Sequence, residues 1–90
     1  MANVLQLQGK LPEAIEMYEK ALRIMVKALG TEEHASVGDT KYNMALVSKR
    51  QGDRERAKAF FTGAARAYRT TYGADHEETR DAEQRAVACG

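Results

Sequence analysis

The chain has 90 residues, enough for one small domain, and its 43% apolar and 30% charged residues are typical of a globular protein, not of a disordered or membrane-embedded one. Its formal net charge of +1 provides no strong field for nucleic acid or an anionic membrane, so neither is an expected partner. The sequence lacks a basic and apolar leader, and its only cysteine, Cys89, has no internal disulfide partner, so we expect a cytoplasmic protein.

The first 30 residues predict a helical stub over residues 2–8, a glycine turn and one long helix. Pro12 suits the first turn of the long helix, where its missing N–H would be unpaired anyway, and Gly30 can adopt the left-handed conformation that ends it. The apolar residues of this helix lie three or four positions apart on one face, which consists of Ala14, Tyr18, Ala21, Leu22, Met25 and Leu29.

Two further helices are predicted between residues 35 and 73. The first runs from about Ala35 to Gln51, and the second begins after Asp53, a suitable N-cap, and ends at Gly73. The connection between them is too short for anything but an antiparallel hairpin. The second helix again carries one apolar face, formed by Ala57, Phe61, Ala64, Ala65, Tyr68 and Tyr72.

A last helix is predicted to start near His76. The segment from Asp75 to Glu78 has the N-cap and N3 residues of a capping box, with Asp75 as the cap. A stripe of small residues follows at helical spacing and consists of Thr79, Ala82, Ala86 and Cys89. We expect this helix to pack on the preceding long one.

The chain contains an internal repeat, which becomes visible when Gly9 is aligned with Gly52, a shift of 43 residues. The positions that match under this shift are Val4, Gln8, Gly9, Ala14, Ala21 and Gly30 with Val47, Gln51, Gly52, Ala57, Ala64 and Gly73. The repeat predicts an all-α solenoid of stacked antiparallel helical hairpins in a single domain. Its parts are a partial repeat over 1–30, a full repeat over 34–73 and a terminal helix over 76–89.

These residues resemble the tetratricopeptide repeat, whose series of small and aromatic positions is occupied by Ala45, Gly52, Ala57, Phe61 and Ala64. The period of 43 residues, which is longer than the roughly 34 residues of the standard repeat, resembles the repeats of kinesin light chain. The run from Asn43 to Leu46 also resembles these repeats. The resemblance implies a right-handed α-solenoid whose first helices, the A helices, line a concave surface. It further implies a protein-interaction module, not an enzyme, with no cofactor.

Three positions depart from the family pattern. Lys41 and Ser48 stand where the A helix normally presents large packing residues, and Ala65 stands where the first unit has Leu22. We therefore expect a loosely filled second unit. The aromatic residues expected to compensate are Phe60, Tyr68 and Tyr72.

The resemblance makes Asn43 the best candidate contact for a peptide, because its amide would face the groove and can both donate and accept hydrogen bonds. The alternative is that Asn43 only bonds a neighbouring helix. Further candidate contacts are Asn3, Arg85, Lys41 and Tyr42. Asn3, Asn43 and Arg85 match the positions of a clamp for a terminal carboxylate in co-chaperone repeats. Asp81, however, would repel such a ligand, and we expect the basic residues to form a solvated or mildly acid-seeking face.

Two histidines, His34 and His76, occupy equivalent loops between the units, and structural use there is favoured over metal binding. The pairs Glu32-Glu33 and Glu77-Glu78 are expected at helix starts, where they oppose the helix dipole. Two functions remain open. The chain either binds a protein or peptide as an adaptor or scaffold, or it is a purely structural or self-associating segment that pairs with further repeats or another copy. In either case the open face of the first long helix is expected to associate or to be locally mobile.

Overall fold

The computed structural model describes residues 11–89, with side chains from residue 13, and within this range it contains four α-helices and no strand. The helices are α1 (Leu11–Leu29), α2 (Ala35–Arg50), α3 (Arg54–Tyr72) and α4 (Glu77–Cys89). The all-α architecture and the four predicted helices are confirmed. The predicted stub over residues 2–8 and the candidate Asn3 lie outside the described residues.

Helix α2 packs antiparallel on α1. Near the start of α2, the hydroxyl of Thr40 lies 3.7 Å from the sulfur of Met25, which is near the end of α1. Towards the other end, Val47 packs in one apolar cluster with Ala14 and Ile15. The start of α2 thus contacts the end of α1, and the end of α2 contacts the start of α1, as in an antiparallel helical hairpin.

Helix α3 packs antiparallel on the other side of α2. The first N–H of α2, from Ala35, donates a 2.9 Å hydrogen bond to the hydroxyl of Thr71 near the end of α3. At the opposite end, Ala45 shares an apolar cluster with Ala57 and Phe61. The backbones approach closely beside Gly38, where an added Cβ would lie 3.1 Å from the Cβ of Ala67.

Helix α4 packs on α3, as predicted. Ala82 belongs to the cluster of Ala64 and Tyr68, and Ala86 belongs to that of Phe61. The hydroxyl of Thr79 donates a 2.9 Å bond to the carbonyl of Gly73. Successive antiparallel contacts along the chain confirm a helical repeat solenoid, in which α2 and α4 are parallel because both pack antiparallel on α3.

The helix boundaries follow from local chemistry. Gly30 ends α1 with a φ of 72°, in the left-handed region where a side chain is strained. Asp53 caps α3, since its carboxylate accepts a 3.0 Å bond from the N–H of Arg56. Both features agree with the prediction.

The two histidines act as helix caps. His34 Nδ1 accepts a 3.0 Å bond from Ser36 N at the start of α2, and His76 Nδ1 accepts a 3.2 Å bond from Glu78 N at the start of α4. The prediction of Asp75 as the cap of the last helix is therefore wrong, because the helix starts one residue later than a cap at Asp75 requires. An imidazole with an unprotonated Nδ1 satisfies the free N–H just as a carboxylate would.

The three positions of the second unit that depart from the family pattern are Lys41, Ser48 and Ala65, and they are packed to different extents. The alkyl stem of Lys41 packs over Gly63, where an added Cβ would lie 3.0 Å from Lys41 Cδ. Tyr68 fills the space beside Ala65 and is 4% exposed. Tyr72 is 44% exposed and fills no core space. Ser48 is fully buried, and its hydroxyl has no hydrogen-bond partner in the part of the chain that the structure describes.

Candidate functional site

A cleft of about 860 Å³ lies between the N-terminal halves of α2 and α4. Its floor is contributed by tyrosines of α2 and α3, and its rim by α4 and the turn before it. Since α2 and α4 are the parallel helices of consecutive hairpins, the cleft is the groove between them. The lining residues are Asp39, Tyr42, Tyr68, Asp75, His76, Glu77, Glu78, Arg80, Asp81 and Gln84.

Tyr68 connects the floor of the cleft to α2. Its hydroxyl donates a 2.6 Å hydrogen bond to Asp39 Oδ1, and its ring passes beside Gly38, where a Cβ would lie 3.0 Å from Tyr68 Cε1. Burial raises the pKa of Tyr68 strongly, and the hydrogen bond to Asp39 and the negative charges of Asp39 and Glu78 raise it further. The tyrosine therefore remains a neutral donor to the Asp39 carboxylate.

Tyr42 makes the corresponding connection from α2 to α4. Its hydroxyl donates a 2.7 Å bond to Asp81 Oδ2, while its ring packs edge to face on Phe61 with the centroids 5.3 Å apart. Burial, followed by the bond to Asp81, raises the pKa of Tyr42 to about 12, and the positive charge of Arg85 opposes this shift. The two A-type helices are thus joined through side chains at the cleft floor.

Arg85 completes a three-residue network with Tyr42 and Asp81. Its Nε lies 3.2 Å from Asp81 Oδ2, and its guanidinium carbon lies 5.5 Å from the centroid of the Tyr42 ring. Two of the predicted contacts, Tyr42 and Arg85, are therefore brought together. The acid that was expected to oppose a carboxylate ligand is paired with the base that would have bound it.

The sequence family model of the tetratricopeptide repeat matches residues 1–36 and 37–78, one match for each unit of the internal repeat. The chain belongs to the tetratricopeptide repeat family. No curated protein matches the chain. Tetratricopeptide repeats generally mediate protein–protein interactions and are not enzymes, so the family agrees with the functional class that the sequence predicts.

Within this tetratricopeptide fold, Asn43 lies on α2 one helical turn after Asp39 and next to Tyr42. Its side chain is half-buried and makes no hydrogen bond to residues 11–89. The amide therefore keeps its donors and its acceptor available at the same helix face as the carboxylate of Asp39, which is exposed.

Lys41 lies away from the cleft. Its Nζ is 3.8 Å from Glu32 Oε1, and only 18% of its side chain is exposed. It lines a smaller cavity of about 300 Å³ together with Thr31, Glu32, Glu33, Gly63 and Arg66. The pair Glu32-Glu33 lies in the turn before the His34 cap and not in the first turn of α2, whereas Glu77 and Glu78 lie in the first turn of α4, as expected.

The sequence did not predict that the cleft is acidic, and basic residues were expected on this face instead. Five lining residues are carboxylic acids, and Arg80 is the only lysine or arginine among them. Four of these acids lie close together in the sequence, between Asp75 and Asp81. Asp75, Glu77 and Glu78 were interpreted only as helix-start residues, and Asp81 as an acid that repels a carboxylate ligand. The fifth, Asp39, joins them through the packing of α2 beside α4.

The described residues contain no group of three or more histidine, cysteine, aspartate or glutamate side chains placed to hold a metal ion. The His76 ring takes part in packing: it stacks on Tyr72 at 4.5 Å, and Tyr72 stacks on Tyr68 at 5.9 Å. Among residues 11–89, no helix is both long enough and apolar enough to cross a bilayer.

Proposed function

We propose that the chain is a non-enzymatic interaction module that presents a short concave groove, formed by α2 and α4, to a peptide or partner protein. The observation that carries this proposal is the amide of Asn43, which has no hydrogen bond to the described residues although it lies half-buried on α2. An amide that is not engaged within the described chain can donate to and accept from the backbone of a ligand.

The dimensions of the neighbouring cleft support the same function. Its volume of about 860 Å³ lies in the range of clefts that hold ligands. Tyr42 lines the cleft and Arg85 lies against the Tyr42 ring, and both side chains are held through Asp81. Lys41 would contact only a partner that extends to the smaller cavity, and Asn3 would belong to the groove of the first unit. We further propose a cytoplasmic adaptor or scaffold of the kinesin light chain kind, on the basis of the 43-residue shift and the run from Asn43 to Leu46.

Selection from a random peptide display library tests the groove. We expect recovered peptides to bind the wild-type chain and to lose at least tenfold in affinity to Asn43→Ala, with an unchanged melting temperature. The matched control is Lys58→Ala, an exposed position of α3 outside the cleft, which should bind normally. Failure to recover any peptide, or equal binding by both variants, would overturn the proposal.

A second candidate function is that of a structural or self-associating segment, and it is favoured by Ile24 on α1. This side chain is 71% exposed, whereas its equivalent in the second unit, Ala67, is fully buried against Gly38 of α2. An exposed isoleucine at a position that the second unit covers is suited to a further repeat or another copy.

Sedimentation velocity over a tenfold concentration range tests self-association. We expect concentration-dependent assembly that is abolished by Ile24→Lys and retained by Ala59→Lys, an exposed position of α3. A monomer throughout the range would exclude association of copies. Assembly that is unaffected by Ile24→Lys would show that the face of α1 around Ile24 is not the association surface.

A further inference from the structure

The cleft between α2 and α4 concentrates negative charge in a chain whose overall formal charge is +1. The acidic lining residues are Asp39, Asp75, Glu77, Glu78 and Asp81, against which stands the single guanidinium of Arg80. His76 also lines the cleft and caps α4, its Nδ1 accepting the bond from Glu78 N.

Most of this charge is not neutralised within the described chain. Among residues 11–89, only Asp81 of the five acids forms an ion pair, with Arg85. Asp39 and Asp81 each accept a hydrogen bond from a tyrosine hydroxyl, which stabilises the charged carboxylate without removing its charge. Charges of one sign that are grouped along a groove attract ions of opposite sign.

The floor of the cleft is aromatic as well as acidic. Tyr42 and Tyr68 line it, and both rings are held in place by their hydroxyl bonds to the two helices. The raised pKa of Tyr68, which burial causes first and the charges of Asp39 and Glu78 then increase, indicates that the negative potential reaches this floor. The rings are themselves covered, Tyr68 being 4% exposed and Tyr42 lying under the Arg85 guanidinium, so they hold the carboxylates in place. The charged end of a lysine or arginine side chain suits these carboxylates.

We propose that the cleft takes a lysine- or arginine-containing peptide segment of a partner protein, with the cationic side chains directed at Asp39, Glu77 and Glu78. This inference rests on the proposed function and specifies its ligand. The acids are distributed along the first half of α4 and across to α2, which matches several charges spaced along a peptide. A ligand rich in aspartate or glutamate, or one bound by its terminal carboxylate, is repelled by the same groups.

The peptides recovered by display selection test this charge preference. We expect them to carry a net positive charge and to bind less tightly as the salt concentration rises. The variant Glu77→Gln/Glu78→Gln should weaken binding at least tenfold. Its matched control, Glu13→Gln/Glu16→Gln, removes two carboxylates from the start of α1 and should bind as the wild type does.

The outcomes separate this inference from the proposed function. Neutral or acidic peptides whose binding depends on Asn43 would overturn the charge preference and leave the groove standing. Equal binding by the two glutamine variants would also overturn it, because the cleft acids would then have no role. Recovery of no peptide at all would overturn both proposals. Melting temperatures of the two variants, each lacking two charges at a helix start, show whether folding is preserved.

Discussion

Tyr68 of α3 donates a 2.6 Å hydrogen bond to Asp39 of α2 across the floor of the acidic cleft. A second bond of the same kind, 2.7 Å long, joins Tyr42 of α2 to Asp81 of α4. Each tyrosine therefore has two roles, since its ring fills the space between helices and its hydroxyl fixes a carboxylate that faces the cleft. The stability of the fold and the geometry of the candidate site consequently depend on the same side chains.

Replacing Tyr68 with phenylalanine should destabilise the fold while keeping the ring. A hydrogen bond to a charged, partly exposed acceptor contributes about 1 to 2 kcal/mol, which lowers the melting temperature of a domain of this size by several degrees. The control is Tyr72→Phe, because Tyr72 is 44% exposed and its hydroxyl makes no hydrogen bond to the described residues. Equal melting temperatures for the two variants would contradict the assigned role of the Asp39 bond.

Alkaline pH should destabilise the protein through the same tyrosines. The pKa of Tyr42 rises from 10.0 to about 12 in the folded chain, and that of Tyr68 is raised further. The unfolded chain therefore loses these protons first, so the contribution of the two tyrosines to the free energy of unfolding is constant below pH 10 and falls as the pH rises above it. Denaturant unfolding at several pH values measures this slope, which should be smaller in Tyr42→Phe and unchanged in Tyr72→Phe. An equal slope in all three proteins would refute the account.

Replacing Gly38 and Gly63, two glycines within helices, with alanine should change the free energy of unfolding in opposite directions. At Gly38 the added Cβ meets Tyr68 Cε1 at 3.0 Å and the carbonyl oxygen of Ala64 at 3.2 Å, neither of which can move freely. Overpacking there should cost about 1 to 3 kcal/mol. At Gly63 the nearest atom is Cδ of Lys41, a flexible side chain, so the gain in helix propensity of up to about 1 kcal/mol should dominate. Urea unfolding of Gly38→Ala and Gly63→Ala measures both effects, and shifts of the same sign would contradict the described packing.

Replacing Ser48 with alanine should stabilise the protein. The serine hydroxyl is fully buried and has no hydrogen-bond partner among the described residues, and such a group costs about 1 to 3 kcal/mol. Its removal should raise the free energy of unfolding by about 1 kcal/mol. The exposed Ser36 provides the control, since Ser36→Ala should change the stability little. A destabilised Ser48→Ala would indicate that the hydroxyl has a partner.

The fold could be predicted from the sequence because its signals are local. The positive φ of Gly30, the cap at Asp53 and the apolar faces of the long helices each depend on residues within one or two turns. The cap of α4 was misassigned to Asp75 because aspartate is the commoner capping residue, and only the register of the helix start shows that His76 takes this role.

The candidate site was less predictable because it depends on pairs far apart in the chain. Asp39 contributes to the acidic cleft only through the packing of α2 beside α4, and Tyr68 reaches it only because Gly38 lacks a side chain. Lys41 was expected at the groove as a charged residue, yet its stem covers Gly63 on another face. None of these three arrangements has a signal in the spacing of residues along one helix.

The most direct test of the groove is an NMR titration of the isotope-labelled chain with a peptide recovered by display selection. The largest chemical-shift changes are expected at Asp39, Asn43 and Asp81, with saturation that disappears in Asn43→Ala. Changes that centre instead on the exposed face of α1 around Ile24, or an absence of changes at a saturating peptide concentration, would contradict the assignment of the α2 and α4 groove as the binding site.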